Sequence, residues 1–152
     1  MPLLFVRHAT AVPSAGWTAP DRERPLTGIG RREATHLAAA CAPYDLSQVV
    51  CSPALRCVQT VEPVARARGI EVRTTADLGE GRRLAARDVV ASLRGTDALV
   101  CTHNDVLHAI VRGLDVQGVE VDGVPRWTHA ETWALTEEPT ISRLVRLGVA
   151  TA

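Results

Sequence analysis

Arg7 and His8 stand side by side directly after the apolar run 3–6, and a second histidine, His103, follows the apolar run 98–101 after a single threonine. Between them a third apolar run, 49–51, leads into Ser52, with Arg56 four residues further on. Histidine offers a nucleophile or proton carrier near neutral pH, and arginine offers a fixed fork of donors that suits planar oxyanions. Two of each, gathered in one place, make a compact anion site. Its natural tenant is a phosphoryl group, whose spreading charge such donors stabilise.

The elements that must gather them are legible in the runs themselves. None of the three alternates, which is how strands buried on both faces of a parallel sheet read. Each is followed by a helix-like stretch. Thr27 caps the first, over 28–41. Ser52 and Pro53 form an N-cap and first-turn pair for the second, which carries Leu55, Val58, Val61 and Ala65 on one face and stops near Gly69, with Pro63 expected to kink or divide it. The third is capped by Asn104 or Thr102, runs through Val106, Leu107, Ile110 and Val111, and ends at Gly113.

A further helix over 86–93, closed by Gly95, and a short strand over 71–73 fill the middle of the chain. Residues 131–135 and 141–147 flank Glu138-Pro139 as a hairpin at the sheet's margin, while 114–129 reads as a loop with no period. The alternation implies one domain over 1–152, a three-layer α/β/α sandwich with a mostly parallel central sheet and an antiparallel edge hairpin. Ligands of such sheets bind beyond the carboxyl ends of the strands. Arg7-His8, Ser52 with Arg56, and His103 all fall at that edge.

Composition narrows the chemistry further. The chain has 152 residues, 46% apolar and 22% charged, as a globular domain has. Seventeen basic residues balance seventeen acidic ones, so no global field draws it to nucleic acid or to an anionic membrane. Every basic residue is arginine; without lysine, a Walker-type phosphate loop and a Schiff-base mechanism are excluded. Cys41, Cys51, Cys57 and Cys101 form no C-x-x-C pair, and Cys51 to Arg56 is one residue short of the C-x5-R loop of cysteine phosphatases. His108 lies about 140° around a helix from His103, which disfavours a metallohydrolase with a His-x-x-x-His element; arginines can neutralise phosphoryl charge in place of a metal, and neither metal nor cofactor is expected. The first apolar run is too short for a signal peptide and no stretch reaches the length of a membrane span, so a cytoplasmic location is expected.

Leu4-Phe5-Val6-Arg7-His8-Ala9-Thr10-Ala11 resembles the opening motif of the histidine phosphatase superfamily, which includes the cofactor-dependent phosphoglycerate mutases. Arg24-Pro25-Leu26-Thr27 with Gly28 and Gly30 is similar to its next segment, Cys51 to Thr60 to its second strand–helix motif, and Val100-Cys101-Thr102-His103-Asn104 to its second catalytic histidine. Ala9 and Glu33 stand where the family commonly has glycine and glutamine. The resemblance implies that His8 is the nucleophile, forming a phosphohistidine that water hydrolyses, while Arg7, Arg56 and His103 hold the phosphoryl oxygens. It implies a general acid in Leu78-Gly79-Glu80, where Glu80 is the choice and Asp77 and Asp88 the reserves. Arg24, Ser52 and Asn104 are the expected substrate-binding residues, and His129 is a lesser candidate from the long loop. His36 and His108 read as surface or packing residues.

Little length between Arg73 and Arg87 is available for a cap over the pocket. An open pocket does not exclude water, which favours a phosphatase over a mutase. The substrate classes implied are a phosphorylated small molecule, a nucleotide, or a phosphohistidine-bearing protein. The last two correspond to two short branches of the family, the phosphohistidine phosphatases and the phosphatase domain attached to Nudix hydrolases. The alternative is a non-catalytic anion-binding module of the same fold.

Overall fold

The structure is a computed structural model that describes residues 2–152. Its strands are β1 (Leu3–Arg7), β2 (Gln48–Cys51), β3 (Val72–Thr74), β4 (Ala98–Thr102), β5 (Glu120–Asp122), β6 (Glu131–Glu137) and β7 (Ser142–Val149). The α-helices are α1 (Gly28–Ala40), α2 (Leu55–Arg68), α3 (Arg83–Leu93) and α4 (Asn104–Val116), and single 3-10 turns lie at Asp21–Glu23 and Ala76–Leu78. The strands form one sheet in the order β3-β2-β4-β1-β6-β7-β5. β3, β2, β4 and β1 are mutually parallel, and β6 and β7 add as an antiparallel hairpin.

Alternate residues of the central strands enter two separate cores. Leu3, Phe5 and Val100 pack with Val90 and Leu93 of α3 and with Leu107 and Ile110 of α4. Leu4, Val6, Val49, Leu99 and Cys101 pack with Leu37 of α1 and with Cys57, Val61 and Val64 of α2. That division is why the runs are apolar at every position, and it produces the three-layer α/β/α sandwich.

Several local expectations are corrected. Ser52 does not cap α2: the chain bends through Pro53 and Ala54 after β2, and the helix starts at Leu55 without a side-chain cap. Pro63 does not divide α2, which is continuous to a left-handed stop at Gly69; buried Val61, Val64 and Ala65 on either side hold the two turns to the sheet. Neither Asn104 nor Thr102 caps α4. Asn104 is its first helical residue, and the Thr102 hydroxyl donates instead to the Leu78 carbonyl at 2.6 Å.

Gly113 does not end α4 but lies inside it, where a Cβ would meet Arg87 Nε at 3.0 Å; the glycine serves helix packing, and the helix runs on to Val116. Residues 120–122, read as loop, form β5 beside β7, so the hairpin is not the outermost element on its side. Three mostly exposed residues carry no periodicity by which to find such a strand. Among the described residues, no helix is long and apolar enough to cross a membrane.

Candidate active site

Register brings the two histidines together. β1 and β4 are neighbours with Arg7 opposite Thr102, so the next residue of each strand, His8 and His103, leaves the sheet at the same edge. Their ring centroids are 5.6 Å apart at 64°. β2 pairs with β4 so that Cys51 lies opposite Cys101, which sets Ser52 beside His103. The first turn of α2 then supplies Arg56, 2% exposed despite its charge.

His8 is 6% exposed, and its Nδ1 lies 2.8 Å from the Ala9 carbonyl oxygen. A carbonyl only accepts, so Nδ1 carries the proton and Nε2 keeps its lone pair. The peptides around it are fixed in turn. Ala9 N–H donates to Thr60 Oγ1 at 2.9 Å, and that hydroxyl donates to the Arg56 carbonyl at 2.6 Å. Both oxygens of buried Glu33 accept from Thr10, one from its N–H and one from its hydroxyl, each at 2.8 Å. The Thr10 carbonyl presses so closely on α1 that a Cβ on Gly30 would lie 2.0 Å from it, and only glycine fits there. Burial, more than charge, pushes the His8 imidazole down to about 3; the Ala9 carbonyl opposes this, while His103, Arg56 and Arg7 add to it.

Arg56 is gripped on its outer edge. NH1 donates to the Asp21 carbonyl at 3.0 Å, and NH2 meets Asp21 Oδ2 at 3.0 Å and Glu80 Oε2 at 3.5 Å. NH2 also lies 3.4 Å from His103 Nδ1. A guanidinium cannot accept, so His103 presents its lone pair at Nδ1 and its N–H at Nε2, which donates to Ser52 Oγ at 2.9 Å. Arg7 NH1 donates to the Trp127 carbonyl at 2.8 Å. Arg7 Nε and Arg56 Nε are buried donors with no acceptor among the described residues, which is what a site for an anion's oxygens presents.

The remaining expected residues divide into those at the site and those away from it. Glu80 stands at the mouth on Arg56, 65% exposed. Arg24 is half-buried at the same rim, its Nε on Asp21 Oδ1 at 3.0 Å and its NH1 on the Val12 carbonyl at 2.7 Å. His129 reaches the site, its ring 5.5 Å from that of His8. Asp77 and Asp88 are exposed, and no ion pair joins them to the site's arginines. Asn104 is exposed beside His103 and lines the groove between α3 and α4 with Arg83, Arg87 and His108. His36 is exposed and bonds the Thr151 carbonyl.

Three contributors escaped the sequence reading. Asp21 ties two arginines together from a loop with no distinguishing pattern. Thr60 lies one helical turn beyond Arg56 and looks like an ordinary core threonine. Glu131, 2% exposed, accepts from Thr128 N–H and hydroxyl at 3.0 Å and from Trp133 Nε1 at 2.8 Å, which holds the loop that carries His129. Its place at the start of an apolar strand was the available signal. The four cysteines are buried, and Cys57 Sγ lies 3.8 Å from His103 Nε2.

A sheet edge with two histidines, a buried and a half-buried arginine and unpaired guanidinium donors defines an α/β protein whose site suits a phosphoryl group. Residues 3–83 match the model of the histidine phosphatase superfamily (branch 1), and the chain belongs to that superfamily. A curated relative, the 8-oxo-(d)GTP phosphatase of Mycolicibacterium smegmatis, is 28% identical over 115 residues, which cover 72% of this chain and 36% of that protein. The chain thus spans about a third of the length of this relative. Among solved structures, the protein histidine phosphatase SixA complexed with tungstate matches at a TM-score of 0.75 and 22% identity over 97% of both chains. The alpha-ribazole phosphatase from Shigella flexneri matches at 0.74 and 16% identity, over 99% of this chain and 98% of its own. At these identities the structures share the fold.

Proposed function

We propose that this chain is a phosphatase that hydrolyses a phosphomonoester or phosphohistidine through a phosphohistidine intermediate on His8. The observation that carries this reading is the Nδ1–H bond from His8 to the Ala9 carbonyl. It leaves Nε2 unprotonated at an edge walled by Arg7, Arg56 and His103.

In the first step the Nε2 lone pair attacks phosphorus as the bond to the leaving oxygen breaks. The low basicity that burial gives the imidazole also makes it a ready leaving group in the second step, when water displaces it. Arg7 and Arg56 neutralise the equatorial oxygens with their fixed donors, the work that metal ions do in other phosphoryl-transfer sites. His103 walls the same edge, its Nε2 on Ser52 Oγ and its Nδ1 beside Arg56. Glu80 at the mouth gives the leaving oxygen its proton, and Arg24 and Asn104 border the approach.

The exposed carboxylates of Glu80 and Asp21 mark a mouth open to solvent, which suits water as the acceptor and a bulky substrate. The classes it would admit are a phosphorylated small molecule, a nucleotide, or a phosphohistidine on a protein. The nucleotide phosphatase named above supports the second. The reading takes residues 1–152 as one domain and places it in the cytoplasm, where buried thiols stay reduced.

The test is turnover of an aryl phosphate in the presence of chelator, with acid-labile phosphoenzyme trapped in wild type and in His8→Ala. Chelator-resistant turnover lost in His8→Ala, with phosphate on His8, is the expected result. Turnover that survives His8→Ala refutes the reading. Phosphate binding without turnover or phosphoenzyme would assign a non-catalytic anion-binding module instead.

A further inference from the structure

His8 lies between two imidazoles. On one side is His103, whose nitrogens are engaged by Arg56 and Ser52. On the other is His129, with its ring centroid 5.5 Å from that of His8 at a tilt of 48°. Among the described residues, no hydrogen bond engages the ring nitrogens of His129. Of the two flanking rings, it is the one with nitrogens available to a molecule in the pocket.

The backbone that delivers His129 is unusual. Trp127 and Ala130 bracket it with φ of 53° and 58°, left-handed conformations that non-glycine residues seldom adopt. Such strain costs about 1–2 kcal/mol per residue and persists only where surrounding contacts over-determine it. Here they do. The Trp127 carbonyl accepts from Arg7, Ala130 N–H donates to the Arg7 carbonyl at 3.1 Å, and Glu131 holds Thr128 and Trp133. The loop is therefore pinned to the residue that precedes the nucleophile, and strain and pinning together set one side chain at the pocket.

Resting on the phosphatase reading above, we propose that His129 is a further catalytic residue, the base that takes a proton from the water attacking the phosphohistidine on His8. In that step the water oxygen bonds to phosphorus while the bond from phosphorus to Nε2 breaks and its electron pair returns to His8. The water proton passes to His129 and from there to solvent, and inorganic phosphate leaves. Four charged or titratable groups besides the phosphoryl face His129: His8 and Arg7 from the end of β1, Arg24 from the rim loop and Glu33 from α1. Burial and the two arginines hold the imidazole below its ordinary value against the pull of Glu33, so it is neutral and able to accept. A phosphoryl group on His8 offsets those arginines and favours the imidazolium that results.

The division of labour is then separable. Glu80 serves the leaving group in the first step, and His129 serves water in the second. The test is rapid-quench kinetics on an aryl phosphate with wild type, His129→Ala and His129→Asn, following both the released phenol and the acid-labile phosphoenzyme. The variants are expected to form phosphoenzyme within about threefold of the wild-type rate and to hydrolyse it about a hundredfold more slowly. This gives a stoichiometric burst and a kcat that no longer depends on the leaving group, and free imidazole partly restores His129→Ala. A purely structural role for the loop would slow both steps together. That result, or an unchanged phosphoenzyme lifetime in both variants, overturns the proposal while leaving a phosphohistidine mechanism standing. If wild type forms no phosphoenzyme, the phosphatase reading itself fails and this one with it.

Discussion

Thr60→Val isolates the device that holds the proposed nucleophile. The threonine is fully buried, and its hydroxyl receives the Ala9 N–H and donates to the Arg56 carbonyl. Valine keeps the shape and opens no cavity, so the change deletes polar partners alone. The Arg56 carbonyl still has the helical N–H of residue 60. The Ala9 N–H has no second acceptor and is left buried and unpaired, at a cost of about 1–3 kcal/mol. With a urea dependence of about 2 kcal/mol per molar, the unfolding midpoint falls by about 0.5–1.5 M.

Activity should fall as well, because the residue released at its N–H also bears, in the next peptide, the carbonyl that fixes the proton on His8 Nδ1. A drop of at least about tenfold in kcat is expected for a nucleophile whose orientation is loosened. Thr60→Ser separates the two effects. It loses a buried methyl, and so about 1 kcal/mol of stability, but keeps the hydroxyl and therefore kcat within about twofold. Urea titration and steady-state turnover of an aryl phosphate measure both. A valine variant as stable and active as wild type would show that the Ala9–Thr60 bond does not organise the site.

Three further outcomes follow from the same geometry. Asp21→Ala removes the carboxylate that compensates the buried Arg56 guanidinium; thermal melts should show a loss of about 1 kcal/mol, modest because Asp21 is 53% exposed. Inorganic phosphate should then raise the melting temperature of this variant by more than it raises that of wild type, and an equal or smaller rise would count against the compensation. Glu80→Gln should slow hydrolysis of alkyl phosphates by about 10²-fold while leaving good aryl leaving groups much less affected; equal effects on both would remove Glu80 from the acid role. For pH, the folded imidazole of His8 sits near 3 and an unfolded one near 6.5, so below 6.5 the unfolded state binds the extra proton. This group's contribution to stability is fully present above about 6.5 and falls by at most about 1.4 kcal/mol per pH unit down to about 3. His8→Gln should flatten urea midpoints between pH 4 and 6.5, and an unchanged slope would show that the ring is not buried as a neutral base.

The sheet and the inner ring of the site were legible because both rest on local patterns. Residues 3–6, 49–51 and 98–101 are apolar without alternation, and the polar residues that follow them land together because the parallel register aligns strand ends. The outer ring was legible only in part: Glu80 and Arg24 stood out through the motifs, whereas Asp21 did not. Asp21 reaches Arg56 from a loop 35 positions earlier in the chain, and nothing in Asp-Arg-Glu-Arg distinguishes it from a solvated charge cluster. The N-cap assignments for Ser52 and Thr102 failed for a related reason. Cap preference describes a residue with no other partner, and the Ser52 hydroxyl is turned to His103 while the Thr102 hydroxyl donates to the Leu78 carbonyl. His129 belongs to a segment with no period, and only the paired left-handed residues around it fix where it goes.

The central place of β1 has a consequence for how the molecule is made. Residues synthesised early pair with residues 98–102 on one side and 132–135 on the other, so both neighbours of the strand that bears Arg7 are far away in sequence. Contacts of this kind raise the contact order and slow the search for the native arrangement. During translation His8 emerges long before its partner His103, and Arg7 acquires the Trp127 carbonyl only when most of the chain has been added. A nascent or truncated chain ending before residue 127 therefore leaves β1 without its β6 neighbour and Arg7 without the Trp127 carbonyl. The proposed phosphoryl site is complete only when the last third of the chain has joined the first strand.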